Sequence, residues 1–387
     1  MYNFDNPVNR KNTGCIKYDF AKEHGFSEDV LPLWVADMDF SVPNEVIDAL
    51  VSRMKHGIFG YTETKESYFD AVSAWMKNRH NWSVKPEWLV KTPGVVFAIS
   101  MAVQAFTNEG DSILIQPPVY KPFFRAVTAN RRHLVENPLV LKKGRYEIDF
   151  NDFEQKIKSE KVKMFILCSP ANPAGRVWKK DELEQIAQIC CKNHVLVVSD
   201  EIHFDFVYPG NTHTVFSTVS DEIEQNCIVC TAPSKTFNLA GLQDSNIFIA
   251  NPAIRKKFQA QFLTCGIEEI NVAGLTACEA AYRYGTQWLD ELLVYLKGNV
   301  DFMRNFLAEN MSGVNLIQPE GTYLTWVDFR NLHFTAQELD ERIRTKANLW
   351  LNDGAIFGKE GEKFQRINIA CTRSTLKEAM NRLVKIL

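Results

Sequence analysis

The chain has 387 residues, of which 45% are apolar and 24% are charged, with 44 basic and 47 acidic side chains. These proportions are those of an ordinary globular protein, and they exclude disordered, collagen-like and disulfide-scaffold classes. Because the net charge is only -3 and both signs are interspersed, no basic surface for nucleic acid is expected and a small-molecule ligand is favoured. The length predicts two domains.

The sequence contains neither a targeting signal nor a disulfide framework. No run of 18 apolar residues occurs and the N-terminal residues carry no export signal, so no membrane partner is predicted. The scattered cysteines are typical of free thiols in a reducing cytoplasm. Only Cys227 and Cys230 form a CxxC pair; on a strand they would point to opposite faces, and no second ligand pair accompanies them. We therefore predict core thiols, a cytoplasmic location and no metal site.

The predicted elements, in chain order, describe an α/β fold. A helical stretch begins at Pro93 and runs to Phe106, and short β-branched runs then alternate with helical patterns such as the one from Asp181. The predicted strands are Ser112–Gln116, Met164–Cys168, Val195–Ser199, Cys227–Thr231 and Asn246–Ala250. Three of them begin about 32 residues apart, the length of a strand with a crossover helix. This spacing predicts a large domain with a mainly parallel sheet flanked by helices.

The pattern changes after the last of these strands. It predicts a long helix over Leu275–Lys297, a helix over Asn299–Asn310, a strand over Gly321–Phe329 and a helix over Ala336–Asn348. We interpret these elements as a smaller α+β domain, closely packed on the first because no flexible linker is present. The expected large domain spans 48–285, and the small one combines 1–47 with 286–387. A cleft between them is the expected site.

Polar side chains follow three successive strands of the predicted sheet. Asn172 lies between two prolines after the first, Asp200 and His203 follow the second, and Lys235 follows the third. Taken singly, each residue has a structural explanation: Asn172 can belong to a turn, Asp200 can cap a helix, and Lys235 can be a solvated lysine. Because ligands of parallel sheets bind at the carboxyl ends of the strands, these side chains can converge on one ligand. A lysine desolvated there has a lowered pKa and can act as a nucleophile or form a Schiff base.

Two further features favour a phosphorylated, flat ligand. Gly94 lies at the start of the helical stretch, where free backbone N–H groups bind anions, although a helix that simply starts at Pro93 is the alternative. Ser234 beside the lysine favours the phosphate interpretation. Tyr120, soon after a predicted strand, could cover a flat ring.

Together these residues resemble the fold-type I pyridoxal-phosphate enzymes, the class I/II aminotransferase superfamily. Within it the chain is similar to the MalY/PatB-like cystathionine β-lyase (C–S lyase) branch. The resemblance covers nearly the whole chain and rests on PLWVADMDF, TPGVVFAI, QPPVYKPFF, SPANPAGRVW, SDEIHFDFVYPG, APSKTFNLAGLQ and RINIACTRSTL. It implies a PLP-dependent transferase-like fold and the cofactor pyridoxal 5'-phosphate (PLP).

The resemblance also implies which residues bind the cofactor. Lys235 would be the catalytic residue that carries the cofactor as a Schiff base, and Asp200 would pair with the pyridinium nitrogen. The implied cofactor-binding residues are Val95, Val96, Tyr120, Asn172, Asp200, His203, Ser234, Lys235 and Tyr61. In this set Asn172 would bond the ring oxygen, Tyr120 would stack on the ring, and Ser234 would help the backbone of Val95 and Val96 to hold the phosphate.

For the substrate, the resemblance implies that Arg366 grips the α-carboxylate as a bidentate pair, with Arg373 as the alternative. Asn172, Tyr120 and Tyr61 would be the other substrate-binding residues. Tyr61 matches a tyrosine that reaches the phosphate of the neighbouring subunit, which implies a homodimer.

The chain departs from the general aminotransferase pattern at three positions. Gln243 replaces a phosphate-binding arginine, Ala232 replaces a serine, and His203 stands where a tyrosine is usual. The Gln243 change resembles the lyase branch. Because of His203, the sequence does not decide which side chain besides Asn172 would bond the ring oxygen. Three aromatic residues could line the substrate pocket or belong to the core, with the core favoured: Trp34, Phe123 and Trp326.

The implied reaction is β-elimination from L-cystathionine or a related L-cysteine S-conjugate, giving a thiol, pyruvate and ammonia. An aminotransferase acting on an L-amino acid and a 2-oxo acid is the alternative. A ligand-sensing module without turnover is disfavoured, because it would need a DNA-binding domain for which the segment before Leu31 is too short.

Overall fold

The structure is a computed structural model that describes residues 2–387. Its strands are β1 (Leu31–Pro32), β2 (Leu89–Thr92), β3 (Ser112–Ile115), β4 (His133–Glu136), β5 (Val140–Lys142), β6 (Arg145–Glu147), β7 (Met164–Cys168), β8 (Leu196–Asp200), β9 (Cys227–Thr231), β10 (Ser245–Phe248), β11 (Asn315–Leu316), β12 (Leu324–Asp328), β13 (Leu349–Trp350), β14 (Asn352–Asp353) and β15 (Phe364–Asn368). Its α-helices are α1 (Asn44–Lys55), α2 (Glu66–His80), α3 (Val95–Phe106), α4 (Lys121–Thr128), α5 (Phe150–Ser159), α6 (Lys180–Lys192), α7 (Asp221–Glu224), α8 (Pro233–Thr236), α9 (Pro252–Leu263), α10 (Val272–Tyr284), α11 (Thr286–Asn310), α12 (Ala336–Thr345) and α13 (Arg373–Leu383). None of these helices combines the length and the apolar character needed to cross a membrane.

The largest sheet has seven strands in the order β2-β10-β9-β8-β7-β3-β4. Strands β9, β8, β7, β3 and β4 pair in parallel, whereas β10 is antiparallel to both of its neighbours. The connection from β9 to β10 holds the one-turn helix α8 and a 3₁₀ turn over Ala240–Leu242 in place of a longer crossover helix. The predicted mainly parallel sheet is confirmed, with β2 and β4 as additional edge strands.

Both faces of this sheet are covered by helices. Along β7, Met164 and Ile166 belong to one apolar cluster, which includes residues of α3, α4 and α9. Phe165 and Leu167 belong to a second cluster with residues of α2, α5, α6, α10 and α11. Because successive strand residues point to opposite faces, a run such as MFILC buries all five side chains.

The C-terminal part forms a smaller α+β layer. Its antiparallel sheet has the order β11-β12-β15-β14; α11 packs against β11, and α13 packs against α11 and β13. Strand β1 pairs in parallel with β13, with Leu31 opposite Leu349, so the N-terminal segment is joined to C-terminal residues. This pairing agrees with the expected composition of the small domain, whose boundaries stay a prediction.

The helices around Gly285 differ from the prediction. The expected helix over Leu275–Lys297 is divided, because α10 ends at Tyr284 and α11 begins at Thr286 and includes the segment predicted as a separate helix. A Cβ on Gly285 would lie 2.2 Å from Cε1 of Phe237. The close approach of this ring requires glycine, and Phe237 lies two residues after Lys235.

All nine cysteines are free thiols. Seven are buried, including Cys227 and Cys230, whereas Cys15 is partly exposed and Cys265 is exposed. Cys227 and Cys230 are therefore core thiols as predicted, whereas the expectation of buried thiols is wrong for Cys15 and for Cys265, which lies just beyond the end of α9.

Candidate active site

A cavity of about 220 Å³ lies beside the ends of β7 and β8 and the α8 turn that follows β9. Its lining includes eight residues predicted from the sequence: Val95, Val96, Tyr120, Asn172, Asp200, His203, Ser234 and Lys235. The register explains the convergence, since Cys168 is paired with Asp200, which is paired with Cys230, so that the three strands end at one level. The structure thus brings the predicted strand-end residues together.

Lys235 lies on α8, a single turn that follows β9. Its Nζ donates a hydrogen bond to the carbonyl oxygen of Ala36 at 2.8 Å. Burial lowers the pKa of Lys235 to about 8; the nearby Arg366 charge acts in the same direction, whereas Asp37 and Asp200 oppose it. A substantial fraction of the amine is therefore neutral at slightly alkaline pH.

Asp200 is the last residue of β8 and is buried. Burial raises its pKa to about 7, although the Ile202 backbone N–H, 3.1 Å from Oδ1, and the charge of Lys235 both favour the ionised form. A carboxylate in this position would gain most from a cationic N–H partner inside the cavity.

Arg366 is buried in β15 and contacts the cavity through Asn172. One terminal nitrogen donates to Asn172 Oδ1 at 3.1 Å, and the other donates to Trp34 O at 2.9 Å and to Asn352 Oδ1 at 2.5 Å. Its Nε has no hydrogen-bond partner within residues 2–387. Burial lowers the pKa of Arg366 to about 10, so the guanidinium remains a cation at neutral pH. The side chain is thus fixed and retains an unused donor.

The N-terminus of α3 also faces the cavity. Its cap residue, Gly94, has φ 151° and ψ 156°, and no side chain caps the helix. Gly94, Val95 and Val96 line the cavity together with Ser234 and Gln243. The backbone N–H groups of an uncapped first turn are available to an anion, and the helix dipole favours negative charge there.

His203 lies in the loop after β8 and is 3% exposed. Burial holds its pKa well below the ordinary value, and the charges of Lys235 and Arg366 add to this shift. The imidazole is therefore neutral at pH 7. Its Nδ1 finds no hydrogen-bond partner in the part of the chain that the structure describes, which leaves a polar atom available beside the cavity.

Other predicted residues lie elsewhere. Tyr61 is 98% exposed and is absent from the cavity of its own chain. Arg373 donates its Nε to Asn299 Oδ1 at 2.6 Å and does not line the cavity. Phe123 and Trp326 are buried core residues, as favoured from the sequence. The Trp34 ring stacks on Trp350, with ring centroids 4.4 Å apart.

Sequence reasoning missed two groups near the lysine. The Ala36 carbonyl accepts hydrogen bonds from Lys235 and, at 3.0 Å, from the hydroxyl of buried Tyr323. Asp244 lines the cavity, and burial raises its pKa. A backbone carbonyl leaves no signal in the sequence, whereas Asp244 could have been noticed because it follows Gln243.

Comparisons with known proteins agree with the fold. The sequence matches the family "Aminotransferase class I and II" over residues 28–383. It is 44% identical over 381 residues to cystathionine beta-lyase PatB of Bacillus subtilis (strain 168), covering 98% of each chain. Cystalysin from Treponema denticola, whose structure contains a pyridoxal 5'-phosphate cofactor, matches with a TM-score of 0.96 and 39% identity, covering 100% of this chain and 98% of that one. The PLP-bound C–S lyase from Staphylococcus hominis matches with a TM-score of 0.92 and 32% identity, at the same coverage. The chain therefore belongs to the class I and II aminotransferase family.

Proposed function

We propose that this protein is a PLP-dependent C–S β-lyase, which cleaves L-cystathionine or a related L-cysteine S-conjugate to a thiol, pyruvate and ammonia. One observation carries the proposal. A buried lysine with a pKa of about 8 and a buried aspartate line the same cavity, in a chain 44% identical to a cystathionine β-lyase.

The cavity residues fit PLP. The uncapped α3 N-terminus and Ser234 would hold the phosphate. Asp200 would accept a hydrogen bond from the protonated ring nitrogen, and this positive charge would stabilise the buried carboxylate. Asn172 and the unpartnered Nδ1 of His203 would face the polar substituents of the ring. When bound, PLP supplies an electron sink for the negative charge that develops on the α-carbon of the substrate.

The substrate would be oriented by Arg366. Its guanidinium is fixed by Asn172, Asn352 and the carbonyl of Trp34, so little side-chain entropy is lost when it binds the α-carboxylate. Holding the carboxylate there restricts the α-carbon to the cavity that Lys235 lines. This restriction converts proton transfer into a step within one complex.

Lys235 would act as the general base. Its neutral amine accepts the α-proton. Because the pKa of Lys235 is about 8, part of the amine is unprotonated near neutral pH and can act as a base. The bond between the β-carbon and sulfur then breaks, and the electron pair departs with the sulfur as a thiolate. Addition of one water to the remaining three-carbon fragment gives pyruvate and ammonia.

The active form would be a cytoplasmic homodimer. Ile47, Val51 and Met54 form an exposed apolar face of α1, and Phe59 and Tyr61 follow as exposed aromatic residues. Contiguous apolar surface of this kind is typical of a protein interface. A second copy on this face would bury it and allow Tyr61 to reach the partner's cavity. The free thiols favour a reducing compartment.

The test uses purified enzyme loaded with PLP and mixed with L-cystathionine in the absence of any 2-oxo acid. Pyruvate and free thiol should appear in equal amounts over many turnovers. Lys235→Ala should lower the rate more than ~10²-fold, because a general base typically contributes ~10² to 10⁴. Lys121→Ala, at an exposed lysine that begins α4, is the matched control. A single turnover that transfers the amino group without thiol release would instead identify an aminotransferase.

A further inference from the structure

We propose that Asp205 is a positioning residue that fixes the turn carrying Lys235, acting through the hydroxyl group of Thr236. This inference rests on the proposed role of Lys235 in the β-lyase reaction. It assigns a function to a buried carboxylate on the side of the turn away from the cavity, where neither cofactor nor substrate is expected to touch it.

Three donors from two separate helices converge on Asp205. Trp75 Nε1 lies 3.1 Å from Oδ1 and His80 Nε2 lies 2.9 Å from the same oxygen, both from α2. Thr236 Oγ1 donates to Oδ2 at 2.6 Å, from α8. The Asp205 side chain is fully buried. Because burial of a carboxylate is costly unless its oxygens are well satisfied, this arrangement strongly fixes the Thr236 hydroxyl.

The α8 turn needs an outside support. It is four residues long, Pro233–Thr236, and a helix of one turn has too few hydrogen bonds to hold itself. Thr236 is fully buried and points toward Asp205, while the preceding residue, Lys235, lines the cavity. Fixing Thr236 therefore fixes the backbone from which the lysine projects.

A second support lies on the cavity side. The Ala36 carbonyl accepts the hydrogen bond of Lys235 Nζ, and Asn238 Nδ2 donates to Met38 O at 2.8 Å while its Oδ1 accepts from Met38 N at 2.9 Å. The Nζ contact involves the reacting amine itself, so it depends on the position and protonation of that group. The contact between Asp205 and Thr236 can persist throughout, because it holds the backbone and not the amine.

Loss of the contact between Asp205 and Thr236 should lower kcat specifically. Displacement of a catalytic group by about 1 Å can cost ~10²-fold in rate. Arg366, which would bind the substrate carboxylate, lies on β15, and its hydrogen bonds do not involve Thr236. Loss of the Thr236 hydroxyl should therefore lower kcat and leave KM nearly unchanged. It should also weaken binding of PLP, because Ser234 and Lys235 are on the same turn.

The experiment compares Thr236→Val, which removes the hydroxyl at nearly constant volume, with Thr236→Ser, which retains it. We expect Thr236→Val to lower kcat for thiol release from cystathionine by about tenfold or more, with KM within about twofold. The dissociation constant of PLP, measured by titrating cofactor-free protein, should rise several-fold. Thr236→Ser should remain near wild type in both measurements. Thr236→Ala against Thr236→Ser provides a second pair that differs by one hydroxyl if the valine variant does not fold.

A double-mutant cycle with Asp205→Asn tests the route of the effect. If Asp205 acts through Thr236, the two substitutions together should cost clearly less than the product of their separate effects on kcat. Equal kcat and equal PLP affinity in the hydroxyl-containing and hydroxyl-free variants would overturn the proposal. If wild-type enzyme releases no thiol, the proposed function fails, and the PLP dissociation constants still decide the positioning role.

Discussion

At the scale of single residues, Asp200 shows that a group can serve the site and destabilise the fold. Burial raises its pKa to about 7, far above the ~3.9 of an exposed aspartate. The folded state therefore binds this proton more tightly than the unfolded chain. The contribution of Asp200 to the free energy of unfolding consequently falls as the pH rises from about 4 to about 7.

Asp200→Asn removes this titration. In cofactor-free protein, the substitution should raise the free energy of unfolding at pH 8 by about 2 to 4 kcal/mol and change it little at pH 4. Urea unfolding at the two pH values measures the difference. Asp181→Asn, which removes an exposed carboxyl on α6, is the matched control. An Asp200→Asn effect of equal size at both pH values would contradict this explanation.

Arg366 and Arg373 are the two candidate ligands of the substrate carboxylate, and their surroundings differ. Arg366 contacts Asn172, a lining residue, whereas Arg373 is engaged with Asn299 on α11. Arg366→Lys should raise KM for cystathionine more than about tenfold, since lysine cannot form the bidentate pair. Arg373→Lys should change KM by less than about twofold. The reverse ranking in steady-state kinetics would reassign the role.

At the scale of elements, the start of α3 depends on one glycine. Gly94 has φ 151° and ψ 156°, a region open essentially to glycine alone, although an added Cβ would meet nothing within 4 Å. The requirement for glycine therefore comes from backbone strain and not from a lack of space for a side chain. Gly94→Ala should lower the free energy of unfolding by about 1 to 3 kcal/mol and weaken PLP binding. Chemical unfolding and cofactor titration measure both effects, and Gly241→Ala, where no positive φ is required, should have neither.

The elements also show what could be predicted from sequence. The five strands predicted for the large sheet are present because each is a buried apolar run, but β2 and β4 were missed because both are partly exposed edge strands that include Lys91 and His133. The break at Gly285 depends on the Phe237 ring, a tertiary contact that the helical pattern does not contain.

The same distinction applies to the site. Asn172, Asp200 and Lys235 could be predicted because each follows a strand, and parallel strands bring their carboxyl ends together. The Asp205 contacts could not, because its partners Trp75 and Thr236 are distant in sequence and meet it only in the folded chain. Sequence pattern identified the side chains at the cavity, whereas their supports depend on packing.

At the scale of the whole molecule, the two parts of the chain meet close to the site. Arg176, in the loop that also carries Asn172, is buried and pairs with Glu320 of the C-terminal part, with Nε 2.9 Å from Oε2. Glu320 and Gly321 also donate their backbone N–H groups to Gly175 O. The Asn172 loop is thus anchored to the C-terminal part on which Arg366 lies, so cofactor and substrate contacts would be held in one frame.

The proposed homodimer gives the sharpest test at this scale, because Tyr61 would complete the partner's site and not its own. Each site then combines Lys235 of one chain with Tyr61 of the other. In a mixed dimer of Lys235→Ala and Tyr61→Ala chains, one site carries both substitutions and the other carries neither. Random exchange of equal amounts of the two inactive proteins should therefore restore about a quarter of wild-type activity, since half of the dimers are mixed and each has one intact site.

The α1 face supplies the control for this experiment. Val51→Glu places a charge on the exposed apolar face and should give a folded monomer by sedimentation, because a buried unpaired charge opposes association. Introducing it into both inactive chains should abolish the restored activity. Activity that recovers without dimers would contradict a shared site. Failure to recover when mixed dimers are present would mean that Tyr61 does not act across the interface, even though its side chain is 98% exposed in its own chain.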